Sequence, residues 1–169
     1  MELEKLIETL EKFQQFLEKH EIPCEITFAK VTKNGTMYSF SISTVGEKFK
    51  LTIFRNLNKE VLKNIEKLVL SINLALENYS ENLQTENAVV DLVEKLKEFE
   101  QTFETSTLVE LDLKASNRRI WLRAPIDNDK KIKSTIESLT PEERVIVNRN
   151  CSPLLNLINL VIKYGKILG

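Results

Sequence analysis

The chain has 169 residues, enough for one domain that buries about 70% of its unfolded surface, so its stability requires neither a disulfide nor a metal. Hydrophobic residues make up 42% and charged residues 29%, which excludes a disordered chain, and four glycines and four prolines point to long elements with few special turns. A net charge of −1 excludes charge-driven binding of the whole chain to nucleic acid or an anionic membrane.

Leu3, Leu6, Ile7, Leu10, Phe13, Phe16 and Leu17 recur at three- and four-residue steps, which predicts an amphipathic first helix ending near His20, ahead of Pro23. From Glu25 the period becomes two. Asn34-Gly35 is a strong hairpin turn signal, and Tyr38, Phe40 and Ile42 alternate with serines as in a half-buried strand. A second turn near Gly46-Glu47 sets Leu51 opposite Ile42 and Ile53 opposite Phe40, completing a three-stranded antiparallel meander. A two-residue turn at Asn34-Gly35 would put Phe28 on the polar face. A bulge or longer loop that pairs Phe28 with Phe40 is therefore expected.

Asn58 caps a second helix to about Tyr79. Leu70 and Leu74 lie off its main apolar stripe, and a helix with two apolar sides sits between two layers or meets a partner. The polar stretch 77–87 reads as a connection between halves, followed by a third helix over 88–103. The next hairpin takes Ser116-Asn117 as a two-residue turn. This pairs Val109 with Ala124, Leu111 with Leu122 and Leu113 with Ile120, with Trp121 alone among the apolar residues on the other side. Asp127 is placed to cap a short helix carrying Ile132, Ile136 and Leu139. Thr140-Pro141-Glu142-Glu143 is a capping box with proline at the first helical position. Ser152-Pro153 repeats that signature and is expected to break or kink the helix, leaving a last helix over 154–164 that stops at Gly165.

The fold class is therefore α+β: a meander and a second hairpin packed on long amphipathic helices, as one domain over residues 1–169. Leu6–Gln15 aligns without a gap to Leu92–Gln101, so residues 1–85 and 86–169 either are duplicated halves or share only the general likeness of amphipathic helices. The order helix, three strands, helix, two strands, helix resembles that of small proteins with the type III secretion chaperone-like fold. The resemblance covers most of the chain as an order of elements and rests on no motif. It implies a polypeptide-binding protein, often a dimer, and no enzyme.

Chemistry-bearing motifs are scarce. His20 is the single histidine, so no metal site built on several histidines and no paired-histidine mechanism forms within one chain. The four glycines are too dispersed for a phosphate-cradling loop. Asp127-Asn128-Asp129 lacks the glycine and glutamate of a calcium loop and reads as a helix start. No catalytic, cofactor or metal residue is assigned, and no cofactor is expected. Cys24 and Cys151 read as small buried side chains. No basic segment leads an apolar block at the N-terminus, and the longest apolar stretch, 154–162, is too short to span a bilayer. A cytoplasmic chain without membrane attachment is expected.

Two surfaces remain. The charge is uneven: nets of −1, −6 and +6 for residues 1–85, 86–113 and 114–169. In the basic third, Arg118, Arg119, Trp121 and Arg123 form a candidate face for RNA or single-stranded DNA, with an indole to stack a base and guanidinium groups for phosphates. Neutralisation of these arginines by Glu110 and Asp112 is the plainer alternative. The other surface is apolar helix, represented by Leu70, Leu74, Leu155 and Tyr164, which suits self-association or a protein partner.

Overall fold

The computed structural model describes residues 3–20, 24–31, 37–43, 49–54, 59–80, 87–104, 106–115 and 118–169. In chain order these form α1 (Leu3–Lys19), β1 (Cys24–Val31), β2 (Met37–Ser43), β3 (Phe49–Phe54), α2 (Lys59–Glu77), α3 (Ala88–Phe103), β4 (Ser106–Ala115), β5 (Arg118–Pro125), α4 (Asp129–Glu137) and α5 (Pro141–Leu168). The architecture is α+β. The turns at Asn34-Gly35, Gly46-Glu47 and Ser116-Asn117, and the cap at Asn58, lie outside the described residues.

The strands form one antiparallel sheet in the order β3-β2-β1-β4-β5, so β1 joins strands from the two ends of the chain. One row of cross-strand neighbours crosses all five strands as Phe49, Ile42, Ile26, Val109 and Ala124. The next row reads Lys50, Ser41, Thr27, Leu108 and Pro125. Rows of such different character favour one register, because slipping a strand by one residue would exchange them. Phe28 stands opposite Phe40. Between β2 and β3 the expected pairs need correction: Leu51 lies opposite Phe40 and Ile53 opposite Tyr38. A two-residue slide leaves every side chain on its own face, so alternation cannot distinguish the two registers.

The helices pack around α5. It lies against both α2 and α3, while α1 packs on α2 and reaches β2 and β3. Leu10, Phe13 and Leu17 of α1, Leu68 and Ile72 of α2, Leu96 and Phe99 of α3, and Leu154, Leu157, Ile158 and Val161 of α5 fill one continuous core. α4 runs back alongside β5. Its entry is tied by Asn128 N–H donating to Pro125 O at 3.0 Å, and at its exit Ser138 O accepts from Arg118 Nη2 at 3.0 Å.

Three local expectations are overturned. Asn128, not Asp127, caps α4, its side chain accepting from Lys131 N–H at 3.3 Å. Of the break or kink expected at Ser152-Pro153 the break is overturned, because α5 continues from Pro141 to Leu168. A proline inside a helix costs about 3 kcal/mol, whereas burying one Leu or Ile contributes about 1.5–3 kcal/mol. Leu154, Leu155, Leu157 and Ile158, all buried just beyond the proline, outweigh it. Gly165 is not the stop either. It is buried within α5, and a Cβ there would overlap Phe103 Cζ and lie 2.8 Å from Cε1, so glycine permits close approach of α3 and α5.

At full length α5 is apolar and long enough to cross a membrane by composition alone, but half of the apolar window is buried inside the molecule. Its apolar content is accounted for by helix packing. The capping box at its start is formed in both directions: Thr140 Oγ1 accepts from Glu143 N–H at 3.2 Å, and Glu143 Oε1 accepts from Thr140 N–H at 2.9 Å.

Candidate functional site

On α2, Leu68, Val69, Ile72 and Ala75 are buried, while Leu70 remains 42% exposed and Leu74 half-buried. Leu70 and Leu74 are one turn apart and share a stripe with Lys63, Glu66 and Glu77, all three exposed. Ser71, two-thirds of the way along the buried side, is satisfied by donating Oγ to Lys67 O at 2.7 Å. The other two expected contact residues fare differently. Leu155 is sealed in the core and offers no surface, because α5 is enclosed on several sides. Tyr164 is half-buried and packs against that core.

The basic hairpin face divides. Along β5, Ile120, Leu122 and Ala124 are buried while Arg119, Trp121, Arg123 and Pro125 are exposed. Alternation places Arg118 with the first row, so it does not join the other three. It reaches α5 instead: Nε donates to Glu143 Oε2 at 2.5 Å and Nη2 to Oε1 at 2.8 Å. The Glu143 side chain is only 9% exposed, and the fork of charge-assisted bonds from Arg118, with Thr140 N–H adding another, holds its carboxyl at about 2. This is a structural clasp between β5 and the start of α5. Trp121 is 47% exposed, with Lys131 Nζ of α4 5.7 Å from its ring centroid. In the β4–β5 register Glu110 stands opposite Arg123, Asp112 opposite Trp121 and Lys114 opposite Arg119.

A third feature was not foreseen. Val90, Val93, Ile132 and Ile136 line a groove of about 230 Å³ between α3 and α4, and Lys97 meets Asp129 across the two helices at 2.6 Å. That bond draws the Asp129 carboxyl below its usual range and raises the Lys97 ammonium. The sequence gives each helix its own apolar stripe. No local pattern says that α4 stands far enough from α3 to leave a gap. Nearby, Glu100 accepts Thr107 N–H at 2.7 Å, and partial burial pushes its carboxyl upward.

Nothing in the described residues assembles reactive groups around these surfaces. Cys151 is a free thiol, and burial pushes it up to about 12, leaving an unreactive packing group. His20, the single histidine, packs with its ring centroid 4.5 Å from that of Phe16 and 5.4 Å from that of Tyr79. No group of three or more His, Cys, Asp and Glu side chains could hold a metal among the described residues. Compared with protein-family models, curated proteins and solved structures, the chain matches none of them.

Proposed function

We propose that this is a non-catalytic interaction protein that engages another polypeptide through the apolar stripe of α2, and that the partner this stripe fits is a second copy of the chain. The carrying observation is the pairing of exposed Leu70 with half-buried Leu74, flanked by opposite charges. Lys63 precedes Leu70 by two helical turns and Glu77 follows it by two. In an antiparallel two-fold pairing centred on Leu70, Lys63 of each copy meets Glu77 of the other, while Leu70 packs on its own equivalent. The charges at the two ends of the stripe are self-complementary in sign, while Glu66 of each copy falls opposite Leu74 of the other. A contact confined to one helix face is small, so the association belongs to the weak, transient class. The element-order resemblance to chaperone-like proteins supports the same adaptor- or chaperone-like reading, in a cytoplasmic setting.

Light scattering over a concentration series tests it. The wild-type chain should show concentration-dependent dimerisation, and Leu70→Glu/Leu74→Glu should remain monomeric with unchanged circular dichroism. Lys63→Glu should weaken the dimer, and adding Glu77→Lys should restore it. A wild type that stays monomeric throughout, or a double leucine variant that dimerises equally, overturns the proposal.

A further inference from the structure

We propose that the outward row of β5, Arg119, Trp121 and Arg123, together with Lys131 of α4, binds single-stranded nucleic acid. Trp121 is the only tryptophan in the chain, and it stands 47% exposed on a strand whose other row is buried. Exposed arginines flank it two residues to either side on the same row. At about 3.3 Å per strand residue, the two arginines are ~13 Å apart, which leaves room for one base on the indole and a phosphate at each end. Lys131 adds a cation 5.7 Å from the ring centroid. Arg119, Arg123 and Lys131 bring three cations to this row, and Glu110 and Asp112 of β4 stand in register beside it, so the face is locally basic although the chain is not.

A ligand that adds contacts to all of these exposed groups must be anionic and must offer flat rings. An acidic peptide supplies carboxylates but no flat ring to lie on the exposed indole. A duplex presents phosphates but keeps its base faces stacked inside. A single strand offers both on one chain, and stacking on an aromatic side chain is tolerant of sequence. Glu110 and Asp112 on β4 stand in register with Arg123 and Trp121, which limits affinity and makes salt a strong competitor.

Because Trp121 is the chain's only tryptophan, intrinsic emission reports on this surface alone. Titration with an oligothymidylate of about 12 nucleotides should quench it, and salt should reverse the quenching with a slope of about −0.7 per phosphate engaged. By anisotropy of the labelled oligonucleotide, Trp121→Phe should bind within a few-fold of wild type and Trp121→Ala about tenfold more weakly. Arg119→Ala/Arg123→Ala should flatten the salt slope. The proposal is overturned if the oligonucleotide neither quenches nor binds at low salt, or if Trp121→Ala binds as wild type does. It is equally overturned if polyglutamate quenches as strongly, which would mark an acidic-peptide site, or if duplex DNA binds as well as the single strand.

Discussion

The Arg118–Glu143 clasp shows how one side chain serves two purposes. Glu143 closes the capping box of α5 through Thr140 and fixes the start of β5 through Arg118. Its carboxyl is held at about 2, below its ordinary value of 4.5. A depressed acid stabilises the fold fully above its unfolded value and loses that contribution as the pH falls through its folded value. The urea midpoint of the wild type should therefore drop between about pH 4.5 and 2 more steeply than that of Glu143→Gln. The variant should be the less stable at neutral pH, and the two should converge in acid. Parallel midpoints across that window would mean the clasp contributes nothing. The placement of Arg118 was legible in the sequence, since alternation puts it in step with Ile120 and Leu122. The proximity of Arg118 and Arg119 in the chain obscured it.

At the scale of elements, local rules and tertiary packing part company. The capping box at Thr140 is written in four adjacent residues and is formed as such. The pairs of β4 with β5 follow from apolar alternation and a short connection, both local. The offset of β3 on β2 depends on a loop length that alternation cannot count. Pro153 and Gly165 carry local signals to stop a helix, and both are overridden by burial against α2 and α3. The same reasoning explains the candidate sites. Exposed Leu70 and Trp121 stand out as breaks in a periodic pattern, whereas Leu155 on an apolar helix looks the same from every side. Pro153 tests this competition between propensity and packing. It denies Arg149 O its intrahelical donor. Pro153→Ala should stabilise the protein by about 1–2 kcal/mol after the looser unfolded chain is counted. A urea midpoint that stays put or falls would show that α5 is bent around the proline in a way the core needs.

At the scale of the whole molecule, the two ends of the chain are sewn together twice. In the sheet, β1 from the first half pairs with β4 from the second over six residue pairs, Cys24 with Leu111 through Ala29 with Ser106. In the helical layer, α2 packs along α5, and Lys67 Nζ of α2 donates to Thr102 O at the end of α3 at 3.1 Å. Any ancestry as a duplicated pair is separate from this, because neither half keeps its apolar surface to itself. Leu68 of α2 and Trp121 of β5 make the coupling measurable. Leu68 is fully buried in the core, and Leu68→Ala should cost about 2–5 kcal/mol through lost burial and the cavity it leaves. Trp121 lies in the other half and reports by emission, while far-UV circular dichroism follows the helices of both. If the molecule is one cooperative unit, the two probes should give coincident urea transitions in the wild type. Both should then shift together in Leu68→Ala, although the lesion and the fluorophore belong to opposite ends of the chain. A variant whose circular dichroism falls early while Trp121 emission holds its original midpoint would divide the fold into two units, and the shared sheet would then be a seam between them.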